Sequence, residues 1–434
     1  MDAIDISSVR AVLAATTTLR PTGRVRSVTG LALRCTMPGV RIGDVLNVRR
    51  RGEPLRCEVV GFEGGEAIAM PLGTLMGVGL DDDVESTGGP LRVRASSSLL
   101  GRVVDALGAP LDGGAPIGGD IVVVDASPPS ALDRSPIARP IATGIRAIDG
   151  LLTLGEGQRV GLFAGSGVGK STLLGAIARG VDADAVVVAL VGERGREVGE
   201  FLNRSLGDEG RKKSVVVVAT SDASALERLR AAQVATAYAE HFRDQGGRVL
   251  LLVDSITRFA RAQREVGLAA GEPPARRGYP PSVFAMLPRL LERSGQSARG
   301  SITAIYTVLV EGGDMDEPIA DEVRGILDGH IVLDRAIAAR GRYPAIDICG
   351  SLSRIMAGIV PREQAEAARK LRAFLAIFEE KRDLVALGAY AKGGDHDLDE
   401  AIEKMPKIEA FLQQSGTEKH RFDDTVRALV DSIR

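Results

Sequence analysis

A glycine-rich segment lies between an apolar run and a helix-like run, and it has the residue types of a phosphate-binding loop. It follows residues 159–163 and reads Ala-Gly-Ser-Gly-Val-Gly-Lys-Ser over 164–171. Such a loop directs backbone N–H groups and a helix dipole at the anion, while its lysine reaches the terminal phosphates. An alanine in place of the usual first glycine is tolerated if its φ is negative. We expect nucleotide contacts from one continuous set: Ala164, Gly165, Ser166, Gly167, Val168, Gly169, Lys170, Ser171 and Thr172.

Asp254 comes directly after the apolar run 248–253. Ligands of parallel sheets bind at the edge where such strands end. A carboxylate at this edge can hold Mg²⁺ through its water shell, and the hydroxyl of Ser171 is the second metal-binding candidate. A carboxylate after an apolar strand is common, so this prediction depends on the phosphate loop being present.

Glu193 comes two residues after the apolar run 185–191. A carboxylate in this position can polarise water for in-line attack on a γ-phosphate. Spacing alone equally well makes Glu193 half of a surface ion pair with Arg194 or Arg196. An NTP-hydrolysing site also needs a positive charge at the transition state, and composition cannot select one arginine from 55 basic residues.

Composition narrows the class of protein. The chain has 434 residues, 44% of them hydrophobic, which predicts two or three domains with sizeable cores. A net charge of −2 and 3% aromatic residues argue against nucleic acid as the main partner. Three cysteines without metal-ligand spacing (Cys35, Cys57 and Cys349) predict reduced, buried thiols in a cytosolic protein. No run is long and apolar enough for a signal peptide or a membrane span.

The hydrophobic pattern changes three times along the chain. Residues 1–20 have loosely helical spacing and predict a helix or a tail. Short alternating segments with glycine corners over 21–92 predict a small β-barrel, and the acidic residues 80–84 together with Gly-Gly-Pro over 88–90 suggest a boundary. Apolar strands within 93–365 predict a parallel sheet with helices on both faces, hence an α/β core domain. Residues 366–434 predict a C-terminal helical domain.

The region after Asp254 resembles the corresponding region of type III protein-export ATPases, which are relatives of the rotary ATP synthase catalytic subunits. The resemblance is carried by residues 253–268 and continues through Gly-Glu-Pro-Pro-Ala-Arg-Arg-Gly-Tyr-Pro-Pro-Ser-Val-Phe over 271–284. Further matches lie at 192–197, 317–321, 326–331, 342–347 and 351–354. The resemblance implies the order barrel, RecA-like P-loop NTPase domain, helical domain.

The resemblance also implies roles for individual residues. It makes Glu193 the catalytic carboxylate, with Arg194 beside it among the catalytic candidates, and Asp254 the metal-binding aspartate. Arg354 becomes an arginine finger contributed to a neighbouring subunit. Tyr343 becomes the aromatic that packs on adenine, with a core aromatic before Pro344 as the alternative.

The segment 271–284 has its own physical interpretation. Two proline pairs stiffen it, and Arg276, Arg277 and Tyr279 are expected to form an exposed basic and aromatic tip. In a ring, the family places this loop toward the central pore. The alternative is a rigid loop shaped only by contacts between subunits.

The resemblance implies a homohexamer, because a pocket that needs another subunit's arginine is incomplete in one chain. It implies ATP and Mg²⁺ as cofactors. The implied partners are a stator-like regulator, a central stalk protein, the export gate and chaperone–substrate complexes. The implied location is the cytoplasm, peripheral to the inner membrane, with residues 1–20 as a candidate contact.

Four functions remain to be weighed. The first is an ATPase that releases chaperones from substrates, unfolds them and powers their export by an injectisome, with the flagellar export system as its alternative. The second is a rotary ATP synthase subunit, which the sequence of the loop 271–284 disfavours. The third is an RNA-translocating motor, which would need aromatic residues on the barrel, where only Phe62 occurs. The fourth, a nucleotide-binding scaffold without turnover, is disfavoured because all catalytic residue types are present.

Overall fold

The structure is a computed structural model, and it describes residue 10 and residues 21–434. The predicted helix or tail over 1–20 therefore lies, apart from residue 10, outside the described residues. From residue 21 the chain forms a barrel, a mixed sheet flanked by helices, and a C-terminal group of helices. This order confirms the fold class predicted from the sequence.

Six antiparallel strands close the barrel in the order β1-β2-β5-β4-β3-β6. Alternating residues point inward, and Leu33, Leu46 and Val84 are fully buried among them. The predicted boundary region 80–90 contains β6, which pairs with β1, closes the barrel and ends at residue 90. The strands are β1 Thr22–Thr29, β2 Ala32–Thr36, β3 Asp44–Val48, β4 Leu55–Glu63, β5 Glu66–Pro71 and β6 Asp83–Pro90.

The central sheet has the order β19-β18-β12-β17-β15-β13-β14-β8, with β16 paired to β17. Its strands are parallel except β16 and β19, and its central strands are apolar on both faces. The strands after the barrel are β7 Arg92–Ala95, β8 Val103–Asp105, β9 Asp120–Val123, β10 Pro140–Ile141, β11 Leu154–Gly155, β12 Arg159–Ala164, β13 Ala185–Glu193, β14 Ser214–Thr220, β15 Arg248–Asp254, β16 Gly295–Gln296, β17 Ser301–Leu309, β18 Gly329–Leu333 and β19 Ile346–Ser353.

Helices cover both faces of this sheet and form two separate apolar cores. Parallel strands require such cover because both of their faces are apolar. The α-helices are Arg146–Leu151, Lys170–Gly180, Gly195–Glu200, Gly207–Lys212, Ala225–Asp244, Ile256–Ala269, Pro281–Leu291, Pro318–Ile326 and Arg335–Ala339. A π-helical turn spans Phe201–Leu206, and 3₁₀ turns span Ser97–Leu99, Ala131–Asp133, Arg276–Gly278 and Glu311–Gly313.

The C-terminal helices pack on the same core as the helix Lys170–Gly180. Leu371, Ile408 and Leu429 are fully buried there. Within the described residues, no helix combines the length and the apolar character needed to cross a membrane. The C-terminal helices are Met356–Ile359, Arg362–Glu380, Arg382–Ala386, His396–Leu412 and Phe422–Ile433.

A buried ion pair joins the barrel to the helix Ala225–Asp244. Glu58 of β4 receives two hydrogen bonds from the guanidinium of Arg230, one of them 2.8 Å long from Nε to Oε2. Arg230 also donates to Gln233. Burial raises the pKa of Glu58, and the Arg230 charge opposes that shift. The ionised form of Glu58 is therefore stabilised by its pairing with Arg230.

The cysteines differ from one another. Cys35 and Cys57 are buried in the barrel, and burial raises the pKa of Cys35 to about 11 and that of Cys57 to about 12. Cys349 is exposed, so its predicted burial was wrong. It lies on β19, which is the last strand at its edge of the sheet among the described residues.

Candidate active site

The phosphate loop connects β12 to the helix Lys170–Gly180. Ala164 is the last residue of β12 and has a negative φ, which satisfies the condition set by its methyl group. Gly167 and Gly169 have φ values of 79° and 88°, in the left-handed region that favours glycine. Gly169 is the residue immediately before the helix, and it carries no side chain that could fill the space beside the helix N-terminus. The loop is therefore shaped to bring its N–H groups to an anion.

Three strand or helix ends bring the predicted acids and the lysine together. Lys170 Nζ lies 2.5 Å from Asp254 Oδ1 and 3.5 Å from Glu193 Oε1. Their side chains are 13%, 3% and 9% exposed, respectively. We call the edge of the sheet where β12, β13 and β15 end the carboxyl edge, and the reverse edge the amino edge. The carboxyl edge holds a compact, shielded cluster of one cation and two carboxylates.

Thr307 of β17 is a member of this cluster that sequence reasoning did not identify. Its hydroxyl donates to Asp254 Oδ1 over 2.7 Å. Thr307 and Lys170 both donate to Oδ1 of Asp254, whereas Oδ2 of Asp254 receives no hydrogen bond from the described residues. The register of β15 with β17 brings the two strands side by side. No local pattern marks Thr307, because its role depends on which strand lies next to β15.

Oδ2 of Asp254 and the exposed hydroxyl of Ser171 are oxygen donors of the hard type that Mg²⁺ prefers. Ser171 is the second residue of its helix and Asp254 ends the neighbouring strand but one. These residues fit the predicted metal-binding pair. They are the ones that would hold the ion.

Glu193 has the electrostatic character of a general base. Burial raises its pKa to about 7, with the Glu197 carboxyl and the Asp254 charge adding to the effect, while Lys170 and Arg258 oppose it. A general base works best when its pKa lies near the working pH. Among the described residues no donor makes a hydrogen bond to Glu193 Oε1, so this buried oxygen has unused capacity to accept one.

Arg258 is a second residue that sequence reasoning missed. Its Nη2 lies 3.2 Å from Glu193 Oε2, so it holds the oxygen that does not face Lys170. The approach depends on Gly192, whose φ is 68° and whose added Cβ would lie 3.0 Å from Arg258 Cδ. The sequence shows a glycine at position 192, but it does not show that this glycine contacts Arg258, which lies 66 residues later in the chain.

An apolar cavity of about 350 Å³ adjoins the helix Lys170–Gly180. Tyr343, 45% exposed, lines it, and a Cβ added to Gly169 would lie 3.5 Å from the Tyr343 ring. Thr172 lines the same cavity. A half-exposed aromatic over an apolar cavity beside the phosphate loop is suited to packing on a base, which favours binding over a core role for Tyr343.

The C-terminal helices contribute to this cavity through the loop after His396–Leu412. Gln414 and Ser415 line the cavity, and the Gln414 N–H donates to the Tyr343 carbonyl over 2.8 Å. The Gln414 side chain accepts from Arg146 N over 2.9 Å and donates to Gly144 O over 2.9 Å. The rim of the cavity is thus shared by two domains.

Two predicted arginines lie apart from the cluster. The Arg194 side chain is 78% exposed and pairs with Glu197 at 3.2 Å, so the structure does not bring it to Lys170. Arg354 follows β19, where Ser353 pairs with Gly329 at the start of β18. Its N–H donates to Asp328 O over 3.1 Å. Arg354 therefore lies at the amino edge, across the sheet from the phosphate loop of its own chain.

The tip of the loop 271–284 is only partly as predicted. Arg276 and Arg277 are exposed and pair with Asp321 and Asp314 at 3.1 and 3.4 Å. Tyr279 is 6% exposed and packs edge-on against Phe284, so its prediction as an exposed aromatic was wrong. The ring folds back into the apolar core because burying an aromatic ring is more favourable than leaving it exposed to water at the tip of a loop.

Comparison with known proteins gives a consistent result along the chain. Residues 144–353 match the family model "ATP synthase alpha/beta family, nucleotide-binding domain", and residues 360–431 match "T3SS EscN ATPase C-terminal domain". The chain is 50% identical to a flagellum-specific ATP synthase of Bacillus subtilis over 94% of both chains. It is 52% identical to a type 3 secretion system ATPase of Xanthomonas euvesicatoria, over 94% of this chain and 93% of the other.

Solved structures give the same result. The assembled ATPase EscN of the enteropathogenic E. coli type III secretion system superposes with a TM-score of 0.90 at 44% identity. The match covers 95% of this chain and 100% of that one. EscN in complex with its central stalk EscO superposes with a TM-score of 0.88.

Proposed function

The chain belongs to the family of type III protein-export ATPases, relatives of the ATP synthase alpha and beta subunits, and we propose that it works as a homohexameric, Mg²⁺-dependent motor. Family membership makes it an ATP-binding ATPase. The single observation that supports the ring is the position of Arg354 at the amino edge, because a finger there can serve only the site of another chain. The proposed functional domains are 21–92, 93–365 and 366–434.

In the proposed reaction, Lys170 and the loop N–H groups hold the phosphates while Glu193 acts on water. Bound Mg²⁺ would neutralise phosphate charge and align the transferring group. Oε1 of Glu193 accepts a proton from water as the water oxygen bonds to the γ-phosphorus. The bond from phosphorus to the β,γ-bridging oxygen breaks, and ADP leaves. Arg258 keeps the carboxylate oriented, and Arg354 of the neighbouring chain stabilises the developing charge.

Mixing two inactive variants tests the shared site. Glu193→Gln lacks the catalytic carboxylate but keeps the arginine finger, whereas Arg354→Ala lacks the finger but keeps the carboxylate. In a one-to-one mixture, about a quarter of the sites combine an intact Glu193 with a neighbour's intact Arg354, so we expect activity to reappear. Each variant alone is the control. A mixture that stays as inactive as its components, although light scattering shows mixed assemblies, would contradict the proposal.

We further propose that the ATPase releases chaperones from export substrates, unfolds these substrates and drives them into an injectisome. Its peripheral site would be the cytoplasmic side of the inner membrane, beside a stator-like regulator and the export gate. EscN is described with a central stalk, which supports a stalk partner for this chain as well. The flagellar system is the alternative, since relatives from both systems are about equally similar. Deleting the gene and measuring effector secretion and motility separates the two.

A further inference from the structure

Arg335 lies beside the phosphate loop although more than 160 residues separate the two in the chain. β18 and β12 are parallel neighbours, and their register places Leu333 opposite Ala164. Asp334 then accepts a hydrogen bond from Ile337 N over 2.8 Å and begins the helix Arg335–Ala339. The backbone before Arg335 is therefore fixed at the carboxyl edge.

The guanidinium of Arg335 lies against the first glycine of the loop. A Cβ added to Gly165 would lie 3.4 Å from Arg335 Nε and 3.6 Å from Nη2. The third neighbour of that position is the carbonyl of Val310, at 3.6 Å. Arg335 thus reaches across the end of β12 toward the start of the loop.

Arg335 differs from Lys170 and Arg258 in having no carboxylate partner among the described residues. Lys170 pairs with Asp254, and Arg258 pairs with Glu193. Arg335 is exposed and makes no ion pair and no side-chain hydrogen bond with any residue that the structure describes. Its N–H donors are consequently available to an anion at the loop.

We propose that Arg335 is a phosphate-contacting residue of the nucleotide site in its own chain. The inference rests on the proposed function and adds a second cation to Lys170. A planar guanidinium matches phosphate oxygens with paired donors, whereas Lys170 acts as a point charge. Because Arg335 makes no ion pair or hydrogen bond with Asp254, it can bind the phosphate chain without exchanging partners with Lys170.

The test compares Arg335→Gln and Arg335→Lys with the matched control Arg340→Gln. Arg340 lies on the next turn of the chain and pairs with Glu379 at 3.3 Å, away from the loop. The measurements are KM and kcat for ATP, and the inhibition constants of tripolyphosphate and of adenosine. We expect Arg335→Gln to raise KM and the tripolyphosphate constant roughly tenfold, because a charged hydrogen bond to phosphate is lost.

In the same assays we expect the kcat of Arg335→Gln and its adenosine constant to change less than about threefold, since neither depends on this contact. Arg335→Lys is expected to recover part of the loss, and Arg340→Gln to behave as the parent chain. An unchanged tripolyphosphate constant would overturn the inference, as would an equal change in adenosine binding. A defect in assembly alone, with both constants unchanged, would instead assign Arg335 to a contact between subunits. Absence of ATPase activity in the parent chain would count against the proposed function, not against this residue.

Discussion

The two edges of the central sheet hold their charged residues in different ways. At the carboxyl edge, Lys170, Glu193 and Asp254 are shielded from solvent, and Lys170 lies within ion-pair distance of both carboxylates. At the amino edge, Arg354 is exposed, and among the described residues its guanidinium makes one long contact, 3.5 Å from Nη2 to Arg324 O.

The comparison teaches that burial separates two kinds of charged residue in this chain. The cluster at the carboxyl edge contains its own counter-ions, whereas the exposed guanidinium of Arg354 has no carboxylate partner among the described residues. An unpaired, exposed cation is free to interact with another molecule, which is consistent with the proposed role of Arg354 in a neighbouring chain.

The largest expected effect comes from the carboxyl edge. Glu193→Gln keeps the shape of the side chain and removes the base, so we expect hydrolysis to fall about 10³-fold, with ATP affinity changed less than about threefold. Single-turnover hydrolysis and nucleotide binding measure the two quantities. Glu200→Gln, an exposed neighbour paired with Arg196, is the control. Near-normal hydrolysis by Glu193→Gln would show that Glu193 is not the general base.

A smaller effect tests how Arg258 tunes the cluster. Glu193 accepts a proton only when ionised, and its pKa is about 7, so kcat/KM should rise with pH through that region and level off above it. Arg258 lowers this pKa, and Arg258→Gln should therefore move the rise to higher pH. A pH profile of kcat/KM measures the shift.

Arg228→Gln is the matched control for that profile. Arg228 also packs beside Gly192, at 3.6 Å from its added Cβ, but its guanidinium pairs with Glu265. We expect its profile to coincide with that of the parent chain. An equal shift in both variants would mean that packing around Gly192, not the Arg258 charge, sets the pKa of Glu193.

The smallest expected effect comes from the amino edge. Arg354→Ala should change the free energy of unfolding of the isolated chain by less than about 0.5 kcal/mol, because the side chain is exposed. Arg159 lies at the same edge and pairs with Glu292 and Asp328 at 2.5 and 3.2 Å. Arg159→Ala should cost roughly 1–2 kcal/mol, since Asp328 loses its arginine partner while Glu292 keeps Arg134 at 3.2 Å. Urea unfolding compares the two, and a large loss for Arg354→Ala would assign it a structural role.

Sequence predicted the parts of the site that are local in the chain. The loop 164–171 and the acids Glu193 and Asp254 each follow an apolar strand directly, and such neighbours in sequence are neighbours in space. The strand pattern likewise predicted the barrel and the parallel sheet, but not that β19 runs antiparallel at the edge of that sheet. The mixed composition of β19 gives little periodic signal.

Sequence could not identify Thr307, Arg258 or Arg335, because each reaches the site from another strand or helix. Their roles follow from strand order and register, which pair β17 with β15 and β18 with β12. The same reason explains why the burial of Tyr279 and the exposure of Cys349 were not predicted. Whether a side chain is buried depends on what packs against it, and that neighbour comes from a distant segment.

The buried ion pair between Glu58 and Arg230 restrains movement of the barrel relative to the central sheet. Turning the barrel against the central sheet would separate two buried charges, which is far costlier than bending a linker. Strain applied to the barrel is therefore expected to act directly on the long helix Ala225–Asp244, which contains Arg230. A reporter placed on the barrel should accordingly respond to movements of this helix.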